Sequence, residues 1–214
     1  CLSRGLGDVY KRQIYSTAEG EIATGYLKTI LPNEPANNSA NPVLSIRKEG
    51  NTPAWGAVYE QYFQEIDKVK GQKGVLSVEK KLFVETNNGT NRQIRPVTPE
   101  QPLRIGDKVI VRLTIRTDRE MNYVFLKDLR AGCFEPADQL SGPESRDGIW
   151  YYRSPKDVSE NFFINRLPEG TFVLEYPVYV SRSGEYAGGI STIQCMYAPE
   201  FVSHTAGESL RIMP

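Results

Sequence analysis

The chain has 214 residues, enough for one large domain or two small ones and for a core that needs no disulfide or metal staples. Its 26 basic and 26 acidic side chains cancel, with no block of five like charges, which excludes the basic stripe of a nucleic-acid binder. A hydrophobic fraction of 39% excludes a disordered chain, no apolar run approaches the ~18 residues that span a bilayer, and a single histidine argues against most imidazole and zinc chemistry.

The first thirteen residues, Cys1 to Gln13, show neither a helical nor a strand period. Ser3 to Gln13, ending Asp8-Val9-Tyr10-Lys11-Arg12-Gln13, resembles the in-frame translation of a sequencing-library adapter. Residues 1–13 are therefore expected to be an artefactual, disordered arm, with the natural N-terminus missing. Setting them aside leaves 23 basic and 25 acidic side chains, a slightly acidic chain. Strands are expected at 21–30 and 43–47, separated by an Asn-, Pro- and Ala-rich loop from Pro32 to Pro42. Pro53-Ala54-Trp55-Gly56-Ala57-Val58 has strand-like content, read as a strand through about Phe63 and then a charged loop from Gln64 to Gly74. Tyr59, Tyr62, Phe63, Ile66 and Val69 also fit a helical stripe, which stays open as the alternative. Gly71-Gln72-Lys73-Gly74 is the natural hinge, giving a first β module over 14–72 and a second over 73–214.

The second module alternates almost throughout. Leu76, Val78, Leu82 and Val84 fall on one face of a strand at 76–84. In 108–117, Val109, Val111, Leu113 and Ile115 point one way and Lys108, Arg112, Thr114 and Arg116 the other, with Ile110 the apolar exception. Phe172, Leu174, Tyr176, Val178 and Val180 repeat the pattern over 172–180. Weaker strands are expected at 121–127, 148–153, 160–166, 188–197 and 208–213. Asn88-Gly89, Gly106-Asp107, Asp147-Gly148, Pro168-Glu169-Gly170 and Ser183-Gly184 supply the turns, within a chain of 18 glycines and 14 prolines. Short, regularly spaced strands define an all-β, antiparallel β-sandwich.

Candidate chemistry is sparse. His204, in Val202-Ser203-His204-Thr205-Ala206-Gly207, reads as a surface histidine, since no Gly-x-Ser-x-Gly elbow accompanies it. Asp118, Glu120 and Asp128 lack the alternating ligands and central glycine of a calcium loop and read as a solvated face. Gly132 and Gly170 sit in no phosphate-binding motif, and Gly188-Gly189 lacks the Lys-Ser/Thr of a P-loop. Cys195 alternates with Ile193 and Tyr197, which reads as a buried reduced thiol; sequence alone leaves its pairing with Cys133 open. The sequons Asn37-Asn38-Ser39 and Asn88-Gly89-Thr90 matter only in a eukaryotic source. Trp55 and the Trp150-Tyr151-Tyr152 run could be core or an exposed aromatic platform, and packing is the expectation, with Trp150 and Tyr152 on one face and Tyr151 on the other. No catalytic, cofactor-binding or metal-binding residue is expected, and no cofactor.

One set of segments is familiar in combination: Asp118-Arg119-Glu120-Met121-Asn122-Tyr123-Val124 running on to Pro136, Phe162 to Tyr176 with Leu167-Pro168-Glu169-Gly170-Thr171, and Gln194-Cys195-Met196-Tyr197-Ala198-Pro199-Glu200-Phe201. Together they resemble the C-terminal end of bacterial alpha-2-macroglobulin family proteins, particularly large envelope proteins of Bacteroidetes-type bacteria. The likeness spans roughly Val75 to Pro214, and Pro53 to Val69 resembles the end of a CUB-like β domain. It implies a closing macroglobulin-like sandwich with Phe163, Leu167 and Phe172 in the core and a hairpin turn at Pro168-Glu169-Gly170. It also implies a cell-envelope or periplasmic protease trap, whose partners are upstream domains of the same chain and the captured proteases, with no nucleic acid and no membrane span in this part. In some members a thioester acylates the protease. Cys133-Phe134-Glu135-Pro136 imitates the Cys-x-Glu-Gln thioester, but Pro136 cannot supply the acyl group, so Cys133 is expected to be unreactive. The competing reading is a secreted adhesion or carbohydrate-binding sandwich built on Trp55 or the Trp150–Tyr152 run.

Overall fold

The structure is a computed structural model that describes residues 2–6, 9–13, 21, 26–30, 43–46, 50–57, 63–88, 91–98 and 100–214. The loop expected at Pro32–Pro42, the sequon at Asn37, Gly89-Thr90 of the second sequon and the 58–62 stretch lie outside the described residues. The chain divides into two compact units, Cys1–Gln61 and Tyr62–Pro214.

In the first unit, β1 (Leu2–Leu6), β2 (Val9–Gln13) and β3 (Val43–Ile46) form an antiparallel sheet in the order β2-β1-β3. Residues 2–6 and 9–13, expected to carry no strand, thus run as a paired hairpin. Backbone pairing needs no side-chain alternation, so the missing period did not preclude it. The strand expected at 21–30 is absent at Glu21 and Tyr26–Ile30, and 53–57 is likewise outside any strand, with Trp55 90% exposed.

Among the described residues 63–70 of the second unit, Ile66–Lys68 form one 3-10 turn and the others lie outside helix and strand. The expected hinge is pinned: Gln72 N–H donates to the His204 carbonyl at 2.9 Å and His204 N–H returns the bond at 3.1 Å. Among the described residues fourteen strands follow. They are β4 (Ser77–Asn88), β5 (Asn91–Pro96), β6 (Leu103–Arg104), β7 (Lys108–Thr117), β8 (Met121–Leu129), β9 (Phe134–Pro136) and β10 (Gly142–Arg146). Then come β11 (Ile149–Pro155), β12 (Ser159–Leu167), β13 (Gly170–Val180), β14 (Gly184–Ala187), β15 (Ser191–Cys195), β16 (Val202–His204) and β17 (Ser209–Met213). A six-stranded sheet runs β10-β11-β12-β8-β15-β16 and a five-stranded sheet β5-β4-β7-β13-β9, both antiparallel, with a small β14-β17-β6 sheet that includes one parallel pair.

The core lies between the two large sheets. Val109, Val111, Leu113 and Ile115 from β7 meet Phe172, Leu174, Tyr176, Val178 and Val180 from β13, while β8 and β12 contribute Val124, Leu126, Phe162 and Ile164. Each such large apolar side chain stabilises the fold by about 1.5–3 kcal/mol relative to exposure. Two expectations need correction. Phe163 points outward at 46% exposed while Phe162 takes the core place, because Phe162-Phe163-Ile164 is apolar at both phases. Pro168-Glu169 makes no hairpin either: β12 pairs with β8 and β11, whereas β13 pairs with β7 and β9, so the segment carries the chain from one sheet to the other. A tight hairpin does occur at Asp147-Gly148 between β10 and β11, where φ values of +52° and +82° give the twist that two-residue hairpins require.

Candidate functional site

Two arrangements stand out from the alternating frame, one inside it and one on its surface. The interior one is ionic. Lys80 on β4 keeps phase with Val78 and Leu82, and Asp128 on β8 with Val124 and Leu126, so both point between the sheets. Lys80 Nζ donates to Asp128 Oδ1 at 2.8 Å, to the Leu129 carbonyl at 2.9 Å and to the Gly188 carbonyl at 3.2 Å. Asp128 also accepts from Ser191 Oγ at 2.7 Å and from the Tyr176 hydroxyl. Burial, with the Asp128 charge beside it, pushes the Tyr176 phenol well above its ordinary range. Next to it, fully buried Glu160 accepts from Arg153 Nε at 2.7 Å and Arg130 Nη2 at 2.9 Å. Burial lifts the Glu160 carboxyl above the ordinary range, and the two guanidiniums oppose the rise. Arg130 is further fixed by the Lys156 and Asp157 carbonyls.

This cluster corrects the reading of Asp118, Glu120 and Asp128 as one solvated face. Asp118 and Glu120 are exposed and pair with Arg119 and Arg166, but Asp128 is buried. The signal for it was in the sequence: Lys80, Asp128, Arg153 and Glu160 each occupy a position in phase with apolar neighbours. Gly189 belongs to the same region. Its φ is +71°, and a Cβ there would sit 2.3 Å from the Leu129 carbonyl oxygen, so this glycine serves a close backbone approach beside the cluster. The cluster ties six strands or strand ends together, with every carboxylate oxygen aimed at a protein donor.

The surface arrangement is aromatic. Tyr152, Phe163 and Phe125 stand directly opposite one another on β11, β12 and β8. Trp150 shares the face of Tyr152 at 71% exposed, against the expectation of packing, while Tyr151 turns inward and donates to Glu144 at 3.0 Å. Burial and the Glu144 carboxylate push the Tyr151 phenol up to about 12. The Phe125 and Phe163 rings stack with centroids 4.9 Å apart and planes 22° from parallel. That separation matches the spacing of neighbouring strands, so the two rings pack against each other across the β12–β8 pair. At the next row Tyr123, held at φ +56°, meets Tyr197 edge-on at 5.1 Å.

The remaining candidates resolve individually. His204 is half-buried in β16 rather than in a surface turn, with its Nδ1 3.1 Å from the Thr205 carbonyl. Cys133 and Cys195 are both buried and free. Burial pushes the Cys133 thiol up to about 11, which suppresses the thiolate any acyl chemistry would need. Cys195 donates to the Asn122 carbonyl at 3.3 Å. Among the described residues no three His, Cys, Asp or Glu side chains gather as a metal site, and no helix is long and apolar enough to cross a membrane. An open groove of about 360 Å³ on the outer face of the five-stranded sheet is lined by Glu85, Lys108, Arg146 and Glu175, which pair with one another or with Arg112.

An antiparallel two-sheet sandwich is the fold of a macroglobulin-type domain. Residues 76–200 match the model of the bacterial alpha-2-macroglobulin MG10 domain, and the chain belongs to that family. Solved structures agree in fold. Salmonella alpha-2-macroglobulin reacted with methylamine is 21% identical with a TM-score of 0.53, over 68% of this chain and 10% of that one. Escherichia coli alpha-2-macroglobulin activated by porcine elastase is 18% identical with a TM-score of 0.53, over 68% and 14%. A curated relative, circularly permutated Ras protein 2 of Dictyostelium discoideum, is 28% identical over 109 residues, 51% of this chain and 3% of that protein. The chain therefore spans a small part of the length of these relatives.

Proposed function

We propose that the chain is the C-terminal portion of a cell-envelope or periplasmic protease inhibitor of the alpha-2-macroglobulin type, and that its own role is conformational. The observation that carries this is the MG10 match over 76–200. The ionic ties between the sheets support a domain that moves as a rigid body when a protease cuts the parent. The buried, proton-retaining Cys133 and the neighbouring Pro136 support a part without bond-making chemistry. The partners are then upstream domains of the same polypeptide, a CUB-like module over 14–72 among them, and the captured proteases. The test is to recover the complete reading frame, express it and incubate it with a broad-specificity serine protease. Digestion of a large protein substrate should fall while hydrolysis of a small peptide substrate continues; equal hydrolysis of both with and without the protein refutes the reading.

The outward Trp150 and Tyr152 favour a second reading, a secreted adhesion or carbohydrate-binding module. The Phe125 and Phe163 rings weigh against it, since they stack on each other and so give each other the ring faces that a sugar would need.

A further inference from the structure

The two large sheets end in four outer strands, and three of them carry residues that resist pairing with another chain. β10 holds Pro143 with Glu144 and Arg146, β5 holds Arg95 and Pro96, and β9 holds Glu135 and Pro136. A proline removes a backbone donor, and a charge resists being covered. β16 has neither: residues 202–207 contain no proline and no Asp, Glu, Lys or Arg. What covers this edge instead is the segment 66–72, which runs antiparallel alongside it. Gln72 and His204 exchange both backbone hydrogen bonds, at 2.9 and 3.1 Å, and Gly207 N–H donates to the Val69 carbonyl at 2.8 Å. The two backbones lie close. A Cβ on Gly71 would sit 2.9 Å from the Ala206 backbone nitrogen, and one on Gly207 would collide with the Ile66 carbonyl oxygen and sit 2.8 Å from Asp67 Cα, so glycines on both sides permit the contact.

We propose that residues 66–72 are a releasable strap guarding the β16 edge, and that lifting the strap opens this edge to the same edge of a second copy of the chain. The strap is held shallowly. None of residues 63–74 is buried, and Ile66, Asp67 and Val69 are the half-buried ones among them. A segment with so few buried contacts opens ahead of the core. The edge beneath has its own support, since β16 pairs with β15 and Thr205 N–H donates to the Ser191 carbonyl at 3.0 Å. Once uncovered, His204 presents both its backbone N–H and its carbonyl outward. A second copy brings the same pair on an edge equally free of proline and of acidic, Lys or Arg side chains. Two such edges can meet antiparallel about a two-fold axis and continue one sheet into the next. The strap also leads the chain into the sandwich, so a pull on the residues ahead of 66 loads these few bonds before any core strand. This holds whether or not the parent traps proteases.

Amide hydrogen exchange and sedimentation velocity on the 214-residue chain test this. In the wild type the amides of Gln72, His204 and Gly207 should exchange at least about tenfold faster than those of Val111 and Leu113 in β7. Gly207→Val should remove the protection of Gln72 and His204 while β7 stays protected, and the chain should then dimerise as its concentration rises. In that dimer His204 should regain protection and Gln72 should stay open. Gly142→Ala, on the β10 edge where a Cβ meets nothing within 4 Å, should stay monomeric with its strap closed. If the bulkier change at Gly207 disturbs the sandwich, Gln72→Pro removes the donor to His204 at an exposed position and should produce the same loss at His204 and the same dimer. A wild-type strap that exchanges as slowly as β7 overturns the proposal, and so does an open strap in a chain that stays monomeric at every concentration. A dimer that reprotects Gln72 along with His204 has exchanged its straps, which also contradicts edge-to-edge pairing.

Discussion

The two large sheets turn different outer faces outward. On the five-stranded sheet the outward positions hold ion pairs, Lys108 to Glu85 at 3.1 Å and Arg112 to Glu175 at 2.6 Å, with Arg112 also 4.4 Å above the Phe83 ring, and Glu175 takes a further pair from Arg146 at the end of β10 at 2.8 Å. On the six-stranded sheet, outward positions of β11, β12 and β8 hold the aromatic rings of Trp150, Tyr152, Phe163 and Phe125. Both faces cover the same core, so core packing does not account for the difference. Charged side chains tolerate water at little cost, whereas an aromatic ridge gains only by being covered. The ion-paired face meets water with charges that satisfy one another, whereas the aromatic face leaves Trp150, Tyr152 and Phe163 exposed.

If that is right, stability should reside in what lies between the sheets and hardly at all in the ridge. Glu160→Ala leaves Arg130 and Arg153 buried without their carboxylate and should cost ~3–5 kcal/mol. Urea unfolding reads this as a large drop in midpoint, and an unchanged midpoint would mean that the guanidiniums reach water. Phe172→Ala should cost a similar ~3–5 kcal/mol as a large-to-small core change, and a near-neutral melting shift would place its face outside the core.

The outer ladder should matter less. Glu175→Gln should cost about 0.5–1 kcal/mol near neutral pH, because its pairs are partly solvated. Its dependence on pH has a definite sign. Burial works to raise the Glu175 carboxyl, but the hydrogen bonds and charges of Arg112 and Arg146 outweigh it and hold the carboxyl below the ordinary range. The stability it gives is therefore present above the unfolded pKa and lost as pH falls through the folded one, so wild type and Glu175→Gln should converge in acid. A gap that widens in acid would contradict the assignment. Smallest of all, Trp150→Ser should shift unfolding by less than about 0.5 kcal/mol, as a surface change with no packing role in this chain.

How much of this the sequence revealed follows from phase. Strands at 76–84, 108–117 and 172–180 were legible because apolar residues recur at nearly every second position, with charged or polar residues at several of the positions between. Phe162-Phe163-Ile164 and Trp150-Tyr151-Tyr152 are apolar at both phases, so the strand was legible and its orientation was not. Arg153 and Glu160 settle that orientation only once they are known to be inward, and a charge is ordinarily taken as the mark of the outward face. The Lys80–Asp128 and Glu160–Arg130 pairs join residues 48 and 30 positions apart, a proximity that only the folded sheets create. Short strands such as β6, β9 and β16 were missed because two or three residues show no period.

The contrast between the two faces is tested most directly by the tryptophan emission of the folded 214-residue chain carrying Trp55→Phe, which leaves Trp150 as its one indole. An outward Trp150 should give a water-like emission that acrylamide quenches almost as readily before unfolding as after it. A blue-shifted, shielded emission that becomes quenchable only on denaturation would put Trp150 inside the protein and contradict the outward aromatic face.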